Sequence, residues 1–156
     1  MAYRIRGLDP VPFAPLFHLS DAELRQRGAV RRFAQPGSIY PCRVSLKDAS
    51  LGEEVILTNF PHVAASASPY RGNGPIFVRR AADEVWDRVD EVPAMMLERH
   101  WGVRGYDGED MIVAAQVARG SDLLAAASEL FARDDTAYVH VHHAAYGCYM
   151  CRIDRV

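Results

Sequence analysis

The C-terminal segment 138–154 gathers most of the side chains in this sequence that could do chemistry. It holds three of the chain's 6 histidines and two of its 3 cysteines. A thiol beside imidazoles can be held partly as the reactive thiolate, and a nearby arginine favours both the thiolate and an anionic ligand. We therefore expect Cys148 to be a nucleophile, His142 or His140 to be its base, and Arg152 to help bind an anion.

These groups share a site only if the segment folds as a hairpin in one register. An even loop would pair Val141 with Cys148, whereas a bulged turn with Gly147 in the left-handed region would not. We favour the bulged turn, because glycine suits that conformation and because this register separates apolar from polar side chains. The predicted pairs are His143 with Tyr149, Val141 with Cys151 and Val139 with Ile153. The predicted polar face holds His140, His142, Cys148, Met150 and Arg152, and the apolar face holds the valines, Tyr149, Cys151 and Ile153.

Two other motifs overlap the same segment. Cys148 and Cys151 form a C-x-x-C, but residues three apart on a strand point to opposite faces and cannot share a metal or an unstrained disulfide. His140 and His142, by contrast, lie on one face and could form a strand-borne metal pair. A third ligand, Cys148 or a distant carboxylate such as Asp110, would complete a zinc site. Zinc binding through His140 and His142 therefore stays open as an alternative.

Residues earlier in the chain could complete an anion clamp. Arginine presents a planar fork that suits carboxylates and phosphates, and Arg43 and Arg71 are the candidates to act beside Arg152. Strand alternation over 40–46 places Cys42 on one face and Arg43 on the other. Tyr40 and Cys42 are further candidate ligand contacts. A plain surface charge remains the simpler interpretation of each arginine alone.

Hydrophobic periodicity predicts the elements that position these residues. Ser20 and Glu23 form a capping box at the start of a helix that Gly28 ends. Further helices are predicted over 83–92, 93–101 and 121–133. The predicted strands are 3–8, 29–34, 40–46, 53–59, 76–80, 103–107, 111–118, 136–142 and 148–154. This pattern predicts a single α+β domain over 1–156, with a mainly antiparallel sheet, about three helices and a C-terminal β-hairpin.

Composition narrows the classes of function. The 156 residues are 49% hydrophobic and 24% charged, which is typical of a globular chain, and a net charge of −2 gives no basic field for nucleic acid. No apolar run approaches a membrane span, and Asp9 and Pro10 interrupt any signal-peptide core. Three cysteines make a poor disulfide framework, so we expect reduced thiols and a cytoplasmic location. A homo-oligomer stays open.

Several motifs together resemble a known family. They are Tyr40-Pro-Cys-Arg43, Ser68-Pro-Tyr-Arg71, Gly74-Pro-Ile-Phe-Val-Arg79, and His140-x-His142 with Gly147-Cys148-Tyr149 and Arg152-Ile153. With the opening Ile5-Arg-Gly-Leu8, they resemble the bacterial family catalogued as domain of unknown function 1203 over almost the whole chain. His143 and Cys151 depart from the pattern expected of that family. The resemblance implies a small stand-alone bacterial protein and supplies no reaction or cofactor.

The leading hypothesis is a pocket at the C-terminal hairpin that binds a small anionic molecule, with thiol-based catalysis as an extension of it. The alternatives are a non-catalytic ligand-binding or protein-interaction module and the zinc-binding protein described above. The sequence does not decide between enzyme and binding module, and it indicates no cofactor.

Overall fold

The computed structural model describes residues 1–64, 67–82 and 84–156, and it folds them into two antiparallel sheets. The strands are β1 (Tyr3–Arg6), β2 (Val30–Phe33), β3 (Glu54–Val63), β4 (Gly72–Arg79), β5 (Asp87–Val89), β6 (His100–Tyr106), β7 (Ile112–Arg119), β8 (Tyr138–His143) and β9 (Tyr149–Arg155). The helices are α1 (Asp21–Gln26) and α2 (Leu123–Phe131), with short 3-10 helices at Ala14–His18, Ala94–Met96 and Gly120–Asp122. The predicted α+β class, with mainly antiparallel pairing and a C-terminal hairpin, is confirmed.

The larger sheet has the strand order β5-β1-β9-β8-β6-β7 and supplies one hydrophobic core. Helix α2 buries Leu123, Ala127 and Leu130 against this sheet, at the spacing that puts these side chains on one helix face. On the sheet, Val139 and Val141 are fully buried in the same core. The helix predicted over 121–133 is therefore confirmed in place and in the face that it buries.

The smaller sheet has the order β2-β3-β4 and a second core beneath α1. The capping box at Ser20 and Glu23 is present, Gly28 has a φ of +68°, and Leu24 is fully buried. These features confirm the prediction for the start and end of α1. None of the helices in the described part of the chain is long and apolar enough to cross a membrane.

The hairpin β8–β9 adopts the predicted register except at its turn end. Gly147 has a φ of +76°, Val141 pairs with Cys151, and Val139 pairs with Ile153. The predicted pair of His143 with Tyr149 is wrong, because an irregularity after Val141 pairs Tyr149 with His142 instead. At this irregularity, strand β9 has one residue more than β8. As a result, the Tyr149 ring faces the histidines, and Met150 lies in the core with Cys151.

Three local predictions are wrong. The segment predicted as a helix over 83–92 contains strand β5, which pairs with β1; Asp83 itself lies outside the described residues. The second predicted helix, 93–101, is a single 3-10 turn that runs into β6. The predicted strand 40–46 is a turn-rich loop with two isolated β-bridges, Pro41–Asp48 and Cys42–Phe77, in place of a regular strand pairing. In the two predicted helices, pairing with distant strands outweighed local periodicity.

Candidate functional site

The loop that replaces the predicted strand 40–46 forms one wall of a cavity. The cavity has a volume of about 590 Å³ and lies between this loop, the smaller sheet and the turn of the hairpin β8–β9. It is lined by Gly37, Ile39, Pro41, Arg43, Leu57, Pro75, Phe77, Arg99, His143, Tyr146 and Cys148. Apolar side chains therefore make most of the wall. Among the described residues, the charged groups of the lining are cationic and none is a carboxylate.

Arg43 is held in this wall by main-chain carbonyls. Only 4% of the residue is exposed. Its Nε donates a hydrogen bond of 2.7 Å to the carbonyl oxygen of Tyr149, and its Nη1 donates to the carbonyl of Pro41. The loop backbone is fixed in turn, because the Arg43 N–H donates to Phe77 and the Arg43 carbonyl accepts from Leu8. The guanidinium is thus oriented by two strands and a loop.

The charge of Arg43 has no counterion among the described residues. No carboxylate there forms an ion pair or hydrogen bond with it. Burial lowers the pKa of Arg43 to about 10, although the nearby Cys148 and Cys42 thiols act in the opposite direction. The group therefore stays charged at neutral pH. Arg99, the other arginine of the lining, already pairs with Asp48 at 2.5 Å.

Cys148 and His143 enter the cavity from the hairpin turn. Cys148 is partly exposed, and its Sγ lies 3.8 Å from the carbonyl oxygen of Tyr146. The His143 Nδ1 accepts from the N–H groups of Ala145 and Tyr146, each at 3.2 Å. A neutral His143 therefore carries its proton on Nε2, and burial together with Arg99 and Arg43 lowers its pKa. The Nε2–H of this neutral ring is the group of His143 that can donate a hydrogen bond.

A second polar region, the histidine cluster, lies where β3 meets the hairpin, and we define it as His62, His140 and His142. The ring centroid of His62 lies 4.9 Å from that of His142 and 6.2 Å from that of His140. Tyr149 stacks on His62 with centroids 5.9 Å apart. His140 and His142 are 3% and 1% exposed, whereas His62 is half-buried and forms the outer side of the cluster.

Burial keeps the histidine cluster neutral. It lowers the pKa of His140 to about 2 and that of His142 to about 4, and it also lowers the pKa of His62. The His142 Nδ1 donates to the Gly147 carbonyl at 2.9 Å. Three ring nitrogens, the His62 Nδ1, the His140 Nδ1 and the His142 Nε2, are buried without a partner among the described residues. At neutral pH these imidazoles cannot supply positive charge to a thiolate.

The motifs noted in the sequence converge on the cavity. Pro41 and Arg43 come from the first motif, Pro75 and Phe77 from the third, and Cys148 from the fourth. The model of the protein family of unknown function DUF1203 matches residues 39–155. The chain belongs to the DUF1203 family. No curated protein and no solved structure matches this DUF1203 chain.

The structure divides the predicted catalytic group of this DUF1203 member between the two regions. Cys148 lines the cavity with Arg43, whereas His140 and His142 lie in the histidine cluster. The predicted common face of His140, His142 and Cys148 is therefore not formed around one open site. Arg152 is exposed, pairs with Asp154 at 2.7 Å and covers the Tyr138 ring at 4.2 Å, and it does not line the cavity.

The remaining predicted ligand contacts lie behind or outside the cavity wall. Tyr40 stacks on Phe77 with centroids 4.6 Å apart, so it supports a lining residue. Cys42 is fully buried, and its Sγ accepts from the Arg79 N–H. Arg71 is exposed and is not part of the lining. Of the three arginines predicted to clamp an anion, the structure brings Arg43 alone to the cavity.

The described residues give the zinc alternative no ligand set. Among them, no group of three or more His, Cys, Asp or Glu side chains is arranged to hold a metal ion. Asp110, the distant carboxylate considered as third ligand, accepts a 2.6 Å hydrogen bond from the Tyr138 hydroxyl. Cys151 is a fully buried free thiol whose pKa burial raises to about 12, and Cys148 is also free.

Sequence reasoning missed three residues of the two polar regions of this DUF1203 chain. His62 falls in a segment predicted as a loop, because Pro61 hides the end of strand β3. Arg99 falls in a predicted helix, and nothing in its local sequence signals the ion pair with Asp48. His143 had a usable signal, since it follows the alternating pair of His140 and His142 and must face the other way on a strand.

Proposed function

We propose that this protein binds a small organic anion with an apolar body in the cavity lined by Arg43 and Cys148. One observation carries the proposal: Arg43 is a buried cation with two carbonyl partners and no counterion among the described residues. Burying an unpaired charge is costly, so such a group gains most from a bound anion. An arginine fork suits a carboxylate or a phosphate ester.

The rest of the cavity supports an amphipathic ligand. A volume of about 590 Å³ lies within the range of small-molecule sites. Leu57, Pro75 and Phe77 offer apolar surface, while the Nε2–H of His143 is a further donor near the cationic end. A hydrated inorganic ion would leave that apolar wall unused, so the ligand we propose carries a hydrocarbon or aromatic group.

We extend the proposal to a reducing, cytoplasmic compartment. The support is that Cys42, Cys148 and Cys151 are all free thiols.

A non-catalytic binding module needs only Arg43 and the cavity, whereas a thiol-based enzyme also needs Cys148. The contribution of Cys148 therefore separates these two functions.

Calorimetric titration with matched probe pairs tests the proposal. Each pair consists of an anion and its neutral counterpart, such as benzoate with benzamide and phenyl phosphate with phenol. We expect at least one anion to bind about tenfold or more tightly than its counterpart. Arg43→Met should abolish this preference, and Arg25→Met, which removes an exposed charge on α1, should retain it.

A second variant guards against misfolding at position 43. Leu57→Trp fills the cavity and leaves Arg43 in place, so it should weaken anion binding while circular dichroism shows an intact fold. Equal affinities for charged and neutral probes across the series, or binding that survives both Arg43→Met and Leu57→Trp, would contradict the proposal.

A further inference from the structure

We infer that Cys148 forms a mixed disulfide with an anionic, low-molecular-weight disulfide that occupies the cavity. This inference rests on the proposed function, because Arg43 must first bind the anionic group. It adds the chemical class of the reacting molecule and the atom that reacts.

Accessibility singles out Cys148 among the thiols. Cys42 and Cys151 are both fully buried, and Cys148 alone of the three cysteines is partly exposed and lines the cavity. Buried thiols are inert toward dissolved reagents, whereas an exposed thiol near a positive charge is the kind that reacts. A dissolved reagent can therefore reach the Cys148 sulfur but not the sulfurs of the two buried cysteines.

Arg43 gives this thiol a selectivity that a lone cysteine lacks. It is 4% exposed, it has no counterion among the described residues, and it lines the same cavity as Cys148. A reagent that carries a carboxylate can place this group on Arg43 while its disulfide lies near Cys148. An uncharged disulfide gains nothing from Arg43. Charge selectivity is therefore the signature of the site.

The reaction is a thiol–disulfide exchange and balances without another reactant. The Cys148 thiolate attacks one sulfur of the bound disulfide, a bond forms between the Cys148 Sγ and that sulfur, and the original S–S bond breaks. The second half of the reagent leaves as a thiolate. The His143 Nδ1 already accepts two backbone N–H groups, so His143 is no base for this step. The thiol proton passes to solvent at the partly exposed sulfur.

The test compares two aromatic disulfides that differ in charge. The dianionic reagent is 5,5′-dithiobis(2-nitrobenzoate), and the neutral one is 4,4′-dithiodipyridine. The rate constant of each reagent with the protein is divided by the rate constant of the same reagent with 2-mercaptoethanol. We expect the normalised ratio of anionic to neutral rates to be about tenfold or more for the protein. Cys148→Ser should remove the fast phase of the reaction with both reagents. In the wild type, mass spectrometry should find a single adduct, on Cys148.

Charge variants decide the role of Arg43. Arg43→Met should bring the normalised ratio to about one while the neutral reagent still reacts, and Arg25→Met should keep the wild-type ratio. A ratio of about one in the wild type, or an adduct on Cys42 or Cys151 in the native protein, would overturn the inference.

A binding measurement on Cys148→Ser keeps the two proposals apart. This variant cannot react, so titration with 2-nitrobenzoate reports reversible anion binding alone. Binding to Cys148→Ser without charge-selective labelling of the wild type overturns the covalent step and leaves the proposed function standing. If no anion of the titration series, 2-nitrobenzoate included, binds more tightly than a neutral counterpart and labelling is not charge-selective, both fail.

Discussion

The histidine cluster and the cavity are both polar regions beside the hairpin β8–β9, yet they differ in what their polar atoms face. In the cluster, unpartnered ring nitrogens are closed in among aromatic rings, and burial keeps the imidazoles neutral. In the cavity, Arg43 remains charged and borders about 590 Å³ of space. Polar residues alone therefore do not make a site. A site also needs unsatisfied charge that borders a space large enough for a ligand.

The two regions are connected through the hairpin turn. Tyr149 contributes its ring to the histidines and its carbonyl oxygen to Arg43. Gly147 accepts the hydrogen bond from His142, and the next residue, Cys148, lines the cavity. Changes in the turn should therefore affect both regions, whereas changes within the loop 40–46 or within the cluster should affect one of them.

The largest effect is expected from Gly7→Ala, which acts on the cavity side. A Cβ at position 7 would lie 2.0 Å from the carbonyl oxygen of Val44, next to Arg43. The loop must move, so we expect a loss of about 3 kcal/mol or more in the free energy of unfolding, together with loss of anion binding. Chemical denaturation measures the free energy of unfolding, and calorimetric titration measures anion binding. Gly108→Ala, with no atom near its Cβ, is the matched control.

The histidine cluster should make the fold sensitive to acid. His140 and His142 are neutral when folded, with pKa values of about 2 and 4, and titrate near 6.5 when unfolded. As the pH falls from 6.5 to 4, the unfolded chain binds more protons, so the free energy of unfolding falls. Each histidine contributes about 1.4 kcal/mol per pH unit in this window. His140→Phe should reduce the change in the free energy of unfolding by about 1.4 kcal/mol per pH unit. An unchanged pH dependence would contradict a neutral His140 in the folded protein.

Gly147→Val should disturb both regions to a smaller extent. A β-branched residue resists the φ of +76° at this position, and we expect a loss of about 1–3 kcal/mol. Both the hydrogen bond from His142 and the charge-selective labelling of Cys148 should weaken. Denaturation curves and labelling rates of this variant, with Gly108→Val as the reference, measure the two effects. A change in only one region would show that the turn does not couple them.

Sequence reasoning succeeded where local rules govern the structure. The capping box at Ser20, the apolar face of α2 and the left-handed Gly147 each follow from residues close together in the chain. The fold class followed from the number and spacing of the strands. The hairpin register was predicted except at its turn end, where the extra residue at Tyr149 and Met150 has no local signal.

The candidate site was predicted only in part, because it is built by long-range contacts. Cys148 and Arg43 were both candidates, but their common cavity depends on a loop that was predicted as a strand. The histidines were expected to share one polar face with Cys148, and β3 instead covers them with His62. No sequence pattern within 138–154 indicates which distant strand packs over the hairpin.

The most direct measurement of the central claim is the stabilisation that a bound anion gives to the wild type and to Arg43→Met. The probe is the anion from the titration series that binds most tightly, supplied at ten times its Kd. Linkage predicts a gain of about 1.4 kcal/mol in the wild-type free energy of unfolding. Arg43→Met should gain nothing measurable, and Arg25→Met should match the wild type. Equal gains in the wild type and Arg43→Met would contradict the account.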